Sequence, residues 1–157
     1  MKLPVMGKGI TLNELPDEVA VYFEIGDCKQ QCKGCHSPHL WEHDGAEWLD
    51  LEEIKAYIKT QRGATAVLFM GGTTNYGIEP KDFIENIIKP LSKDYPIGLY
   101  HGDSPFYLDK SCLTWIKTGR YIESQGGLTS PTTNQRMYYL VGDEWLDITT
   151  YFRKEKI

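Results

Sequence analysis

The sequence lacks an apolar run that approaches the roughly 20 residues of a transmembrane helix. It also lacks a basic run of the kind that follows a phosphate backbone, and its net charge is −5, which makes nucleic-acid binding a poor expectation. Residues 1–18 contain neither the long apolar segment nor the small-residue cleavage site of a secretory signal. These absences predict a cytoplasmic protein with no membrane partner and no nucleic-acid partner.

Internal repeats and low-complexity tracts are absent as well, and the 157 residues suit one domain over 1–157. The hydrophobic fraction of 41% and the charged fraction of 25% are ordinary for a globular protein. A chain of this size buries a sizeable core, so we expect its stability to require neither disulfides nor a structural metal.

Strand and helix patterns alternate along the chain, which predicts an α/β fold. Three short apolar runs read as buried strands at 19–25, 66–70 and 97–100. Amphipathic patterns between them predict helices at 51–61 and 80–91. Further strand residues are expected at 113–116 and 121–122, interrupted by Gly119, and a C-terminal β-hairpin at 137–141 and 145–148.

The order strand, helix, strand, helix, strand is typical of parallel βαβ units. In such sheets, ligands bind beyond the carboxyl ends of the strands. Three informative loops leave strands at that edge: the cysteine segment, Gly71-Gly72 and His101-Gly102. The sequence therefore predicts one composite site built from these loops.

Three of the four cysteines lie close together, at Cys28, Cys32 and Cys35, whereas Cys112 is far away and reads as a core or incidental thiol. Thiolates on a tight turn are the usual ligands of a cubane iron–sulfur cluster. Three thiolates hold three irons and leave the fourth open, and an open coordination position is typical of a catalytic metal. The spacing therefore favours a catalytic [4Fe–4S] cluster.

Three other interpretations stay open for this loop. A structural zinc site would need a fourth ligand from His36, His39 or His43. A redox pair would use Cys32 and Cys35 but would leave Cys28 unexplained. Inert buried thiols are the third interpretation, although the polar residues between the cysteines argue against it.

Residues 23–41, FEIGDCKQQCKGCHSPHLW, resemble the cluster loop of radical S-adenosylmethionine (SAM) enzymes. Within that superfamily they are most similar to the activating proteins of anaerobic (class III) ribonucleotide reductase. Gly34 and Trp41 both fit that branch. Residues 118–123 and 126–136 resemble its C-terminal part, including Asn134-Gln135-Arg136. The resemblance extends from about Val21 to Tyr139 and so covers most of the chain.

This resemblance implies a shortened, open (β/α) half-barrel of the radical SAM type, in which Cys28, Cys32 and Cys35 are the catalytic and metal-binding residues. SAM would chelate the open iron and be cleaved reductively to methionine and a 5′-deoxyadenosyl radical. That radical would take a hydrogen atom from a glycine of the partner, the large glycyl-radical reductase subunit. The electron would come from a flavodoxin- or ferredoxin-like donor. The alternatives are an activase of another glycyl-radical enzyme and a non-catalytic zinc or iron–sulfur binding module.

The resemblance also assigns SAM contacts to Gly71, Gly72, Thr73, His101 and Lys117. The glycine pair would approach the methionine end of SAM, His101 would lie near the ribose, and Lys117 near the carboxylate. The alternatives are a plain Gly-Gly turn, a structural or solvated histidine and a surface lysine at these positions. Family members usually carry acids at the positions of Thr73 and Thr114. A threonine hydroxyl still accepts a hydrogen bond, but it carries no charge to pair with an ammonium.

Overall fold

The computed structural model describes residues 1–31, 38–104 and 108–152, and these residues form one mixed sheet of 8 strands. In chain order the strands are β1 (Leu3–Thr11), β2 (Ala20–Ile25), β3 (Glu47–Leu49), β4 (Ala66–Met70), β5 (Ile97–Tyr100), β6 (Trp115–Thr118), β7 (Arg136–Val141) and β8 (Glu144–Asp147). In space they run β3-β1-β2-β4-β5-β6-β7-β8.

Four parallel strands, β2, β4, β5 and β6, form the centre of the sheet. The antiparallel strands β1 and β3 extend one side, and the antiparallel hairpin β7–β8 extends the other. The mixed α/β fold and the C-terminal hairpin are therefore confirmed. The parallel centre brings the carboxyl ends of β2, β4, β5 and β6 to one edge of the sheet.

Two helical segments connect the parallel strands. Helix α1 (Leu51–Thr60) lies between β2 and β4 in the chain and begins with a capping box, in which Asp50 accepts from the Glu53 N–H and Glu53 accepts in return. Helix α2 (Pro80–Phe83) continues through a π-helical turn (Ile84–Ile88) into α3 (Lys89–Ser92). Pro90 lacks the N–H that an α-helix would direct at the Asn86 carbonyl, which accounts for the wider turn just before it.

Alternate residues of the central strands face two separate cores. The face that carries the helices is packed with aromatic rings, and the Phe69 centroid lies 5.4 Å from both Phe23 and Phe83. The opposite face holds a smaller cluster that includes Leu68, Trp115 and Met137. Leu15, from the segment between β1 and β2, also belongs to this second cluster and is 1% exposed.

Some expectations were wrong in detail. The strand after β5 spans Trp115–Thr118 and ends before Gly119, and the strand expected at 121–122 is not present. Ile122 instead forms an isolated bridge with Gly126. Strands β1 and β3 were not predicted at all. Within the described ranges, no helix is long and apolar enough to cross a membrane.

Candidate functional site

The carboxyl ends of the four parallel strands open onto one cleft of about 360 Å³, a volume typical of small-molecule sites. Four of the residues predicted from the sequence line it: Cys28, Gly71, His101 and Lys117. A second cavity of similar volume lies beside α2 and contains none of the predicted site residues. The composite site expected at the sheet edge is therefore brought together around the first cleft.

The base of the cysteine loop is closed by backbone hydrogen bonds. The Cys28 N–H donates to the Leu40 carbonyl at 2.9 Å, and the Asp27 N–H donates to the Glu42 carbonyl at 3.0 Å. The Cys28 thiol between them is partly exposed and is not in a disulfide. These bonds fix one thiol at the cleft. Cys32, Cys35 and the candidate zinc ligand His36 lie outside the described residues.

The two described histidines near this loop are each paired with a carboxylate. His43 Nδ1 lies 2.9 Å from Asp27 Oδ1, and this hydrogen bond raises the pKa of His43. His39 Nε2 lies 3.4 Å from Glu24 Oε2. Neither histidine lines the cleft. In the described part of the chain, no three histidine, cysteine or acidic side chains form a group that could hold a metal ion.

Asn75, which the sequence reading missed, joins the cysteine loop to the glycine loop. Its side chain is 1% exposed, and its Nδ2 donates to the carbonyls of Ile25 at 3.2 Å and Gly26 at 2.6 Å. Its Oδ1 accepts from the Gly72 N–H at 2.8 Å. A bond of 2.9 Å from the Lys29 N–H to the Thr74 carbonyl runs alongside. The two loops therefore form one hydrogen-bonded unit.

We expect Asn75→Ala to lower the free energy of unfolding by about 1–3 kcal/mol, because it leaves buried backbone groups at the ends of β2 and β4 without partners. Urea denaturation followed by circular dichroism measures this loss. Asn86→Ala, on an exposed helical position, is the matched control and should change stability by less than about 0.5 kcal/mol. An Asn75→Ala protein as stable as the control would show that the two loops do not depend on this side chain.

His101 supports the glycine loop from below. It is 1% exposed, its Nε2 lies 3.0 Å from the Ser104 carbonyl, and its Nδ1 lies 2.7 Å from the Thr73 hydroxyl. Because a carbonyl only accepts, Nε2 carries the proton, and Nδ1 of the neutral ring accepts from Thr73. Burial lowers the pKa of His101 and so favours this neutral form. Both ring nitrogens are thus bonded within the protein.

The two remaining members of the predicted glycine-loop site lie behind the cleft. Thr73 is 3% exposed, directs its hydroxyl at His101 and is not among the lining residues. Gly72 packs against the ring of Phe83, also away from the cleft. Gly71 is therefore the predicted member of this loop that lines the cleft, together with Thr74 and Asn75, which were not predicted.

Lys117 lines the cleft at the end of β6, directly beside Tyr100 of β5. Its Nζ lies 3.7 Å from the centroid of the Tyr100 ring. The Tyr100 hydroxyl donates to Glu14 Oε2, and Glu14 is a lining residue that the sequence reading missed. Burial, followed by the charge of Glu14, raises the pKa of Tyr100 well above its ordinary value, so the phenol stays a donor.

The Asn134-Gln135 pair holds the far wall of the cleft. Asn134 Nδ2 donates to the Arg120 carbonyl at 3.1 Å, and Gln135 Nε2 donates to the Gly119 carbonyl at 3.3 Å. Arg120 in turn donates to the Gln30 carbonyl in the cysteine loop at 3.2 Å. Gln135 also lines the cleft. Cys112, by contrast, packs against the main core and lies outside the lining.

No family model and no solved structure matches the chain. One curated relative, from Microcystis aeruginosa, is 34% identical over 120 residues, which cover 68% of this chain and 30% of the relative. That protein is named 5-amino-6-(D-ribitylamino)uracil–L-tyrosine 4-hydroxyphenyl transferase. The chain thus spans less than a third of the relative's length, so it is similar to one part of that enzyme.

Proposed function

We propose that this protein is a radical SAM activase. It cleaves SAM reductively at a [4Fe–4S] cluster and generates a glycyl radical on anaerobic ribonucleoside-triphosphate reductase. The observation that carries the proposal is the position of Cys28: its partly exposed thiol lines the same cleft as Gly71 and Lys117. The broader proposal that the chain is an enzyme is also supported by its relative, which is named as a transferase.

The donor chemistry of the described residues fits such a cluster. The Cys28 thiol lies at an open cleft rather than in an apolar core, and the backbone bonds at the base of its loop hold it in place. Cys28, Cys32 and Cys35 would hold the cluster. When bound, the cluster supplies the electron that splits the carbon–sulfur bond of SAM, and a flavodoxin- or ferredoxin-like donor replaces that electron.

The chain's own residues orient the ligand and shield it. Gly71 has φ of 105° and brings bare backbone to the cleft, which lets a ligand approach closely. Lys117 offers a cation for a carboxylate, and the Tyr100 ring below it limits where its ammonium can go. Gln135 and the backbone of Gly119 close the far wall. These groups bind and position a zwitterionic ligand and exclude water around it.

The proposal includes a shortened, open half-barrel for the fold. Four adjacent parallel strands and the two helical connections support it. The described residues between β5 and β6 contain no helix, which agrees with a shortened version. The zinc-module alternative is tested by the metal content below, because a carboxylate partner such as His39 and His43 have is also common for metal-ligating histidines.

The test is anaerobic reconstitution with iron and sulfide. We expect about four irons per chain, the absorption of a cubane, and 5′-deoxyadenosine from SAM plus reductant. The loaded protein is then mixed with the large reductase subunit or with a glycyl-radical lyase, and electron paramagnetic resonance reports which partner gains a glycyl doublet. A glycyl doublet on the lyase alone would show that the partner is another glycyl-radical enzyme and not the reductase. A protein that holds colourless, tetrahedral zinc and cleaves no SAM would overturn the proposal that the chain is a radical SAM enzyme.

A further inference from the structure

Glu14 gives the cleft its negative charge. Among the cleft-lining residues that the structure describes, it is the one carboxylate, whereas Lys117 and Arg120 are cations. One fixed anion beside two cations suits a ligand that carries both signs of charge. The place of Glu14 in the cleft therefore bears on where the cationic end of the ligand lies.

Two features hold Glu14 in place. The next residue, Leu15, is 1% exposed and packs in the second core beside Gly98, where an added Cβ would come within 2.9 Å of Leu15 Cδ2. The Tyr100 hydroxyl donates to Glu14 Oε2 from the floor of the cleft. A carboxylate has more acceptor positions than one phenol occupies, so Glu14 retains acceptor capacity toward a ligand.

The other polar groups of the glycine loop do not offer a comparable negative charge. Thr73 is neutral, buried and directed at His101. The Asn75 side chain is bonded to the backbone at Ile25, Gly26 and Gly72. Attraction between a carboxylate and a cation is strengthened where the carboxylate is partly buried, and Glu14 is half-buried.

We propose that Glu14 binds the electropositive centre of the ligand and that Tyr100 is its positioning residue. The inference rests on the proposed function, in which the ligand is SAM, with an amino group and a sulfonium. Both groups are attracted to a carboxylate, so the experiment separates them by probe. Lys117 and Arg120 are left to face the carboxylate end and the other polar groups of the ligand.

The test measures dissociation constants for the reconstituted protein by equilibrium dialysis without reductant, so that no turnover occurs. The probes are SAM, S-adenosylhomocysteine, which lacks the sulfonium charge, and methylthioadenosine, which lacks both the charge and the amino acid. Glu14→Gln should weaken SAM binding at least about tenfold, as expected when a charge-assisted contact becomes neutral. The affinity for S-adenosylhomocysteine should fall by the same factor if Glu14 binds the amino group. It should stay unchanged if Glu14 binds the sulfonium. Methylthioadenosine should bind as before.

Three further variants complete the experiment. Glu52→Gln, an equal change of charge on exposed α1, should leave all three constants unchanged. Tyr100→Phe should weaken SAM by a smaller factor than Glu14→Gln and spare methylthioadenosine. Glu14→Asp keeps the charge, so it should retain more SAM affinity than Glu14→Gln. It also serves as the variant to test if Glu14→Gln does not fold, a point that thermal melting checks.

Two results would overturn the inference alone: unchanged SAM binding in Glu14→Gln, or an equal loss for methylthioadenosine, which would indicate a structural or ribose contact. If the wild-type protein binds no SAM at all, both the inference and the proposed function fail together. Failure of the one is thus distinguishable from failure of the other.

Discussion

Cys28→Ala is expected, under the proposed function, to take up no cluster and to cleave no SAM. Cys28 is the one cysteine of the triplet that the structure describes, and it lies in the cleft with a free, partly exposed thiol. Loss of supporting groups around a metal already lowers affinity or activity by about 10–100-fold, and loss of a direct ligand should exceed that. Iron content after reconstitution and the rate of 5′-deoxyadenosine formation measure the two effects separately.

Cys112→Ala is the matched control for this experiment. Its thiol packs against the main core and does not line the cleft, so iron uptake and SAM cleavage should match the wild type. Its removal should cost only about 1 kcal/mol of stability, the size of a small partly buried group. If Cys28→Ala retained wild-type iron content and cleavage, Cys28 would not be a cluster ligand. If both variants lost iron equally, the loss would reflect folding instead.

The strands that pattern alone could predict are the buried ones. β2, β4 and β5 consist mostly of apolar residues, because both of their faces lie against packed residues, and such runs are recognisable. Strand β1 was not predicted, because glycines such as Gly7 and Gly9 usually interrupt a strand pattern. In the sheet they leave space for neighbours: a Cβ on Gly7 would lie 2.2 Å from Glu24 Oε1, and one on Gly9 would lie 3.2 Å from the ring of Tyr22. Their role depends on pairing with β2, which local sequence does not show.

The same distinction separates the site residues that were predicted from those that were missed. Cys28, Gly71 and His101 come shortly after strands, so the rule about carboxyl ends placed them around one cleft. Lys117 lies within β6 and was expected from the family resemblance alone. Glu14 and Asn75 contribute through partners that are distant in the chain: Tyr100 is 86 residues from Glu14, and Ile25 is 50 residues from Asn75. A glutamate in a polar segment and an asparagine after a glycine pair look like ordinary turn residues.

Gly72→Ala should be the most destabilising change in the glycine loop. Gly72 has φ of 115°, a conformation that costs a residue with a side chain about 1–3 kcal/mol. An added Cβ would also lie 2.7 Å from Phe83 Cζ, and that ring is fully buried against Phe69. Overpacking of this kind adds about 1–3 kcal/mol. Urea denaturation should therefore show a loss of about 2–6 kcal/mol in the free energy of unfolding.

Gly71→Ala separates the cost of backbone strain from the cost of overpacking. Gly71 has a similar φ of 105°, but a Cβ added to it would meet its nearest atom, Asn75 Oδ1, at an ordinary 3.5 Å. It should show the strain alone, about 1–3 kcal/mol. In a Phe83→Leu background the additional loss from Gly72→Ala should shrink, whereas that from Gly71→Ala should not. Equal losses in both backgrounds would contradict a clash with Phe83.

The two substitutions should also differ in their effect on binding, because the two glycines lie on different sides of the loop. Gly71 lines the cleft, whereas Gly72 packs on the helix side of the loop. Under the proposed function, Gly71→Ala protein that remains folded should therefore bind SAM more weakly, because the substitution adds a methyl group to backbone that lines the cleft. Gly72→Ala protein, studied where it is still folded, should bind SAM with nearly wild-type affinity, since its added methyl group points into the core.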